Sequence, residues 1–268
     1  MTPAGTASFR ARTLVTLSRI LRLTRMVISR VAFVVLAGVA ALWAQTAELK
    51  TADAVLERYK SALGGVDAIK NVQSETVRGE IEGTGLQGKA TFVSYGKPFK
   101  SLFKVTRPDG TEMTSGFDGT VSWSVDAKGA SVDKDTAVEA NRRDADLQYA
   151  LHQPDYFKKL ELAGVVDFEG HRCYWLHGTT HWGKDNNQFY DVETGLLAGY
   201  RFEADDSSKT ITILLFQDYK RLGGRLVATK QILRAGDRSR TFTTKSVSYE
   251  PVADSVFELP AAVKALMK

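Results

Sequence analysis

The feature of this sequence that most limits its fold is a long series of short strand-like segments separated by turns. The turns carry Gly, Pro or Asp, as in Gly83-Thr84-Gly85, Gly96-Lys97-Pro98 and Pro108-Asp109-Gly110, and they recur about every ten residues. Short segments joined in this way pair with their neighbours in an antiparallel arrangement. The sequence therefore predicts an α+β fold built on one wide, curved antiparallel sheet, a half-barrel of about eleven strands.

Few helices are available to cover that sheet. Apolar residues at helical spacing predict a helix over Ala52–Leu63, and a shorter one follows over Val66–Val72. Asp135 and Thr136 are suited to cap a third helix that runs through Leu151, and a short helix is expected at the C-terminus. Because so few helices cover only part of one face of a wide sheet, we expect an apolar groove or half-barrel cavity to remain.

The N-terminus has the three parts of a secretory signal peptide. Six arginines and no acidic residue precede an uncharged, fourteen-residue apolar run from Val31 to Ala44, whose last residue is suited to cleavage. The run is shorter than the roughly 20 residues that a membrane-spanning helix needs, although an uncleaved signal anchor is the alternative. We therefore expect residues 1–44 to be a signal peptide, residues 45–268 to be one mature domain, and the protein to reside in the periplasm.

The positive charge of the whole chain belongs to this leader, which can begin at either Met1 or Met26. The sequence has 36 Lys and Arg against 31 Asp and Glu, a net charge of +5, and six of the basic residues but none of the acidic ones lie in the leader. Beyond it, 30 basic residues meet 31 acidic ones. The basic isoelectric point therefore does not indicate a nucleic-acid partner.

The sequence carries no recognisable catalytic or metal-binding motif. Residues 83–88 match the spacing G-x-G-x-x-G, but strands flank them and no helix follows, so we expect a hairpin turn instead of a phosphate site. The four histidines are dispersed, and the single cysteine, Cys173, lies in a strand-like segment where a buried structural role is expected. We therefore predict that the protein is not an enzyme and has no cofactor and no metal site. A secreted hydrolase with carboxylates in a cleft is an alternative.

The strand alternation assigns a set of apolar residues to one buried face of the sheet. That face is expected to hold Val77, Ile81, Phe103, Trp123, Ile211, Ile213 and Leu215. Four of these are the predicted lipid-binding residues: Phe103, Trp123, Ile211 and Ile213. Because Trp123 alternates with two serines, we also expect its indole to be buried.

Local motifs at turns and strand ends recur along the chain. They are the segments 59–65 (YKSALGG), 116–123 (GFDGTVSW), 189–197 (FYDVETGLL), 218–224 (DYKRLGG) and 257–260 (FELP). In this order they resemble the LolA/LolB-like group of exported bacterial proteins, which sort outer-membrane lipoproteins. The resemblance runs from Ala47 to Lys268.

The resemblance implies a curved antiparallel sheet covered by helices, with a cavity that accepts the acyl chains of lipids or lipoproteins. The expected function is that of a monomeric periplasmic binding or carrier protein, whose partners are an acyl chain and membrane-bound envelope proteins. Sensor proteins of sigma-factor regulation share the fold. The alternative function is therefore an envelope stress-sensing or scaffold protein that docks a partner protein and binds no lipid.

Overall fold

Thirteen antiparallel strands form one open sheet in this computed structural model, which describes residues 48–203 and 210–268. The strands are β1 (Glu75–Gly83), β2 (Ala90–Lys97), β3 (Lys100–Thr106), β4 (Glu112–Phe117), β5 (Ser122–Asp126), β6 (Gly129–Val132), β7 (Phe157–Phe168), β8 (His171–Thr180), β9 (Asp185–Asp191), β10 (Leu197–Glu203), β11 (Ile211–Leu222), β12 (Arg225–Ala235) and β13 (Arg238–Ser248). Their order across the sheet is β6-β5-β4-β3-β2-β1-β13-β12-β11-β10-β9-β8-β7. Two meanders therefore meet where β1 pairs with β13, and the predicted wide, open antiparallel sheet is confirmed.

The helices are few and short. They are α1 (Ala52–Ala62), α2 (Val66–Lys70), α3 (Thr136–Asp144), α4 (Tyr149–His152) and α5 (Ala261–Leu266), with 3-10 turns at Gln153–Tyr156 and Asp254–Phe257. None of the helices in the described ranges is long and apolar enough to cross a membrane. The predicted leader, residues 1–44, lies outside the described residues.

Strand pairing divides the side chains between two faces of the sheet, because directly paired residues point to the same side. On β11, Phe216 pairs with Gln231 and points to one side, which we call the helix face. Ile213 pairs with Arg234 and points to the other side, which we call the outer face.

Helix α1 packs on the helix face of the second meander. The helix begins after Thr51, whose Oγ1 accepts a 3.2 Å hydrogen bond from the N–H of Ala54. The ring of Tyr59 meets the ring of Tyr190 on β9 edge-on, with centroids 5.1 Å apart. Leu56 is buried in the same seam at 3% exposure, so the apolar stripe read from the sequence is the face that the helix buries.

Helix α3 and the loop after it pack on the helix face of the first meander. Asn141 Nδ2 donates a 2.7 Å hydrogen bond to Ser122 Oγ at the start of β5. A Cβ atom at Gly96 on β2 would lie 2.7 Å from Cδ2 of Leu147. The absence of a side chain at Gly96 therefore lets the Leu147 side chain pack closely on β2.

The C-terminal segment runs along the outer face of the first meander. Asp254 forms ion pairs of 3.1 Å with Lys97 and 3.7 Å with Lys100, both of which point to the outer face. Helix α5 packs against β5 and β6. Trp123 of β5 points to the same outer face and is 2% exposed, which confirms the prediction that its indole is buried.

The region between residues 126 and 151 differs from the prediction. Strand β6 lies where a break was expected, because a tight turn after Asp126 returns the chain onto β5. The single helix predicted through Leu151 is instead two helices, since the chain turns at Asp146, whose Oδ1 accepts a 2.9 Å hydrogen bond from the N–H of Gln148 just before α4. Asp135 makes no side-chain cap, because its backbone is left-handed at φ 52°.

The glycine-rich match at residues 83–88 connects β1 and β2, which pair in antiparallel register. Its three glycines all have positive φ, at 131° for Gly83, 81° for Gly85 and 105° for Gly88. The expected hairpin turn is therefore confirmed, and glycine is needed there for backbone conformation.

Candidate functional site

A cavity of about 410 Å³ lies between α3 and α4 and the helix face of the sheet. We call it the helix-face groove. Its apolar walls are Tyr149 of α4 with Tyr200, Phe202, Leu214 and Phe216 of β10 and β11, and Arg143, Asp144, Asn186 and Gln231 complete the lining. Both the size and the mixture of apolar walls with a few polar groups are typical of small-molecule sites.

The floor of the helix-face groove is made by alternate residues of paired strands. Tyr200 on β10 pairs directly with Leu214 on β11, so both side chains point to the helix face. Phe216 follows Leu214 by two positions, and its ring meets the ring of Tyr200 edge-to-face, with centroids 5.6 Å apart. The aromatic floor is thus a direct consequence of the strand register.

Five tyrosines from five elements approach one another around this floor: Tyr59, Tyr149, Tyr190, Tyr200 and Tyr219. Burial raises the pKa of each hydroxyl, and it raises the pKa of Tyr59 from 10.0 to about 12. At neutral pH these groups are therefore uncharged, and the two that line the helix-face groove, Tyr149 and Tyr200, add no charge to an apolar site.

A buried polar network holds α4 and the following 3-10 turn onto the sheet. Gln153 Nε2 donates to the hydroxyl of Tyr190 at 2.8 Å and also to Gln188 Oε1. The Tyr190 hydroxyl in turn donates to Gln188 Oε1 at 2.8 Å. Since all three side chains are buried, these hydrogen bonds fix the position of the helices that roof the helix-face groove.

A second cavity of about 260 Å³, which we call the polar pocket, adjoins the helix-face groove. The two cavities share Arg143, Asp144, Asn186 and Phe202 as lining residues. The guanidinium of Arg143 is held 2.8 Å from Asp144 Oδ1 and lies over the ring of Trp182, 5.6 Å from its centroid. An apolar cavity and a polar one therefore meet at a fixed ion pair.

Three solved structures show which architecture this is. A DUF1329 family protein from Desulfovibrio piger is 18% identical, with a TM-score of 0.56 over 78% of this chain and 98% of that one. A LolA superfamily protein from Nitrosomonas europaea is 11% identical, with a TM-score of 0.55 over 79% and 99% of the two chains. A putative outer membrane lipoprotein-sorting protein domain from Vibrio parahaemolyticus is 11% identical, with a TM-score of 0.52 over 76% and 95%. The chain has a LolA/LolB-like fold.

The fold predicted from the local motifs is thereby confirmed. No protein-family model matches the sequence, and no curated protein matches it. The likeness to the three solved structures therefore shows the architecture of the chain alone.

Of the four predicted lipid-binding residues, Phe103 lies on the helix face. It packs with Phe92 and Phe242, whose ring centroids are 5.6 Å and 6.5 Å from its own. Phe242 pairs with Gln231, which also lines the helix-face groove. Phe103 therefore lies on the same face of the sheet as the groove, beyond the polar side chain of Gln231, and lipid contact by Phe103 stays a prediction.

The other three predicted residues point to the outer face, so the single buried face expected from the sequence is wrong. Trp123 of β5 packs over its paired residue Gly116 of β4 on the outer face, and a Cβ at Gly116 would lie 2.9 Å from the indole. Ile213 belongs to an outer-face cluster with Leu215, and Ile211 is 49% exposed on the same side. The strand register therefore separates these residues from Phe103, and their contact with a lipid stays untested.

The outer face of the second meander has a depression of its own, with a volume of about 570 Å³. Its apolar part is formed by Phe168, Ala198 and Leu215, and its edge carries His171 with Asp191 at 3.5 Å. We call it the outer-face depression. Phe216 lines both this depression and the helix-face groove.

Reactive groups are sparse in the described ranges, 48–203 and 210–268. No group of three or more His, Cys, Asp or Glu side chains there could hold a metal ion. Burial, together with the nearby carboxylates of Asp191 and Asp167, raises the pKa of the Cys173 thiol to about 12. Cys173 is therefore a protonated, buried thiol at neutral pH, as its strand-like surroundings predicted.

The groove residues of β10 and β11 were not predicted as a site. Apolar residues occupy both alternating sets of β11, because Ile213 and Leu215 face outward while Leu214 and Phe216 face the helices. A period of two cannot say which of two apolar sets meets the helices. On β10, the aromatic Tyr200 and Phe202 alternate with the charged Arg201 and Glu203. This alternation, unlike that of β11, indicates which side chains face the helices.

Proposed function

We propose that this chain is an exported periplasmic binding or carrier protein whose helix-face groove takes the acyl chain of a lipid or lipoprotein. The observation that carries the proposal is the cavity of about 410 Å³ with aromatic and aliphatic walls between the helices and an open sheet. The predicted leader supports export. The LolA/LolB-like architecture supports the proposal because this fold encloses the groove between its helices and its sheet.

Acyl-chain binding requires no charged contact in the helix-face groove. Each methylene group that leaves water contributes about 0.8 kcal/mol, so ten of them would contribute about 8 kcal/mol before the entropic cost of ordering the chain. The neutral hydroxyls of Tyr149 and Tyr200 leave the floor uncharged, and the charged pair among the described lining residues, Arg143 and Asp144, lies at the junction with the polar pocket. The groove is thus suited to hold a chain with its polar end towards Arg143.

A second candidate function is docking of a partner protein on the outer face. It is favoured by the outer-face depression and by the 49% exposure of Ile211 on the same side of the sheet. In this function the outer-face cluster would receive an apolar side chain of the partner, and no lipid would enter the helix-face groove.

Native mass spectrometry of the full-length protein, purified from the periplasm after bacterial expression, tests the proposal. We expect a protein mass without residues 1–44, together with adducts that organic extraction identifies as lipids with acyl chains. Apoprotein that takes up no acyl-chain lipid when mixed with a bacterial lipid extract would contradict the proposed function. An intact leader in the inner-membrane fraction would contradict export.

A further inference from the structure

One buried hydrogen-bond acceptor lies unused at the junction of the two cavities. Asn186 of β9 lines both the helix-face groove and the polar pocket, and only 7% of its surface is exposed to solvent. Its Oδ1 atom is buried and accepts no hydrogen bond from any side chain or backbone group of the described residues. Native proteins rarely leave such an atom unpaired, so it indicates a place where a ligand donates a hydrogen bond.

The opposite kind of group lines the same junction. Two guanidinium nitrogens of Arg143, Nε and one terminal nitrogen, lie 2.9 Å and 2.8 Å from Asp144 Oδ1. A guanidinium carries five N–H groups in a rigid fork, so Asp144 does not engage all of them. The junction between the apolar and the polar cavity is therefore lined by a hydrogen-bond acceptor, Asn186 Oδ1, and by a hydrogen-bond donor, the Arg143 guanidinium.

We infer that the ligand of this site is an N-acyl amphiphile whose amide group sits at this junction. The inference rests on the proposed function, because the acyl chain occupies the helix-face groove and the head occupies the polar pocket. The amide N–H donates to Asn186 Oδ1, and the amide carbonyl, on the adjacent atom, accepts from Arg143. A carboxylate or an ester offers acceptors only, so it would leave Asn186 Oδ1 unpaired and set further oxygens beside the carboxylate of Asp144.

A matched pair of ligands isolates the amide N–H. N-methylpalmitamide and methyl palmitate differ only by the exchange of N–H for oxygen, and both are added to the full-length apoprotein to displace an environment-sensitive acyl probe. We expect the amide to displace the probe at a concentration roughly tenfold lower than the ester, since a site that hydrogen-bonds a ligand N–H discriminates against the analogue without it. N,N-dimethylpalmitamide, which has no N–H, should bind no better than the ester.

Variants then assign the preference to one side chain. Asn186→Leu should abolish the preference for the amide while the ester still binds, whereas Gln231→Leu, which removes another amide from the groove lining, should keep the preference. Circular dichroism confirms that each variant is folded. If Asn186→Leu does not fold, the comparison of the three ligands on the wild-type protein decides.

The possible outcomes separate this inference from the proposed function. Equal affinity for amide and ester in the wild-type protein, or a preference that survives Asn186→Leu, overturns the amide assignment and leaves acyl binding intact. A preference for 1-monopalmitin over methyl palmitate, with none for the amide, also overturns it and assigns the donor to a hydroxyl group. If no ligand displaces the probe, the proposed function itself fails.

Discussion

Removal of the Tyr190 hydroxyl tests whether the buried polar network positions the helices above the sheet. In Tyr190→Phe, Gln153 Nε2 loses a 2.8 Å acceptor and Gln188 Oε1 loses a 2.8 Å donor, while the ring and its contact with Tyr59 are kept. Gln188 Nε2 already has no partner among the described residues. Leaving buried polar groups short of partners costs about 1–3 kcal/mol.

Urea unfolding of the full-length protein, followed by circular dichroism, measures this loss. A decrease of about 1–3 kcal/mol in the free energy of unfolding corresponds to a decrease in Tm of about 2–12 °C for a domain of this size. The matched control is Tyr95→Phe, because the Tyr95 hydroxyl makes only an exposed contact of 3.5 Å with Arg78. That control should change the free energy of unfolding by no more than about 0.5 kcal/mol.

Equal stability of Tyr190→Phe and wild type would show that the network contributes nothing to folding. A loss of stability without any change in acyl binding would separate the network from the groove. We expect both stability and acyl binding to weaken, since Gln153 lies directly after α4.

Three further predictions follow from the same packing. Leu56→Asp places an unpaired charge in the seam between α1 and the sheet, so it should lower the free energy of unfolding by at least about 3 kcal/mol. The control is Glu57→Ala at an exposed position, which should change the free energy of unfolding by less than about 0.5 kcal/mol. Urea unfolding measures both. Gly116→Ala should lower the free energy of unfolding by about 1–3 kcal/mol, because the new Cβ would lie 2.9 Å from the Trp123 ring and 3.0 Å from a backbone oxygen. An unchanged free energy of unfolding in the same assay would contradict this packing. The pKa of Tyr59 is raised in the folded state, so its contribution to stability is complete below its unfolded pKa of 10.0 and is lost as pH rises through about 12. Tyrosinate absorbance that rises near pH 10 in the wild type but not in Tyr59→Phe, without unfolding, would refute its burial.

Local patterns predicted the elements of this chain better than their placement. The helix over Ala52–Ala62 and most strands follow from periodicity and turn residues, because those signals depend on neighbours in sequence. The division of α3 from α4 was missed since it depends on one side chain, Asp146, which bonds the backbone of Gln148. Strand β6 was missed because an alternation of only four residues is too short to distinguish a strand from a turn.

The candidate site was harder to predict because it depends on strand register. A shift of one residue exchanges the two faces of a strand, so Ile213 and Leu214 could not be assigned from β11 alone. The pairing of Leu214 with Tyr200, and the burial of Asn186 beside Arg143, arise only when the sheet is assembled. These contacts join residues that are far apart in the sequence.

Adjacent residues on opposite faces give the most direct test of the central claim that the helix-face groove binds an acyl chain. Leu214 and Ile213 are both half-buried, but Leu214 lines the groove and Ile213 points to the outer face. Affinity for a fluorescent acyl probe is measured for Leu214→Asn and Ile213→Asn, each shown to be folded by circular dichroism. We expect a loss of about tenfold in affinity for Leu214→Asn, since part of the apolar contact with the acyl chain is removed, and wild-type affinity for Ile213→Asn. Loss of binding in Ile213→Asn alone, or equal affinity in both variants, would contradict this claim.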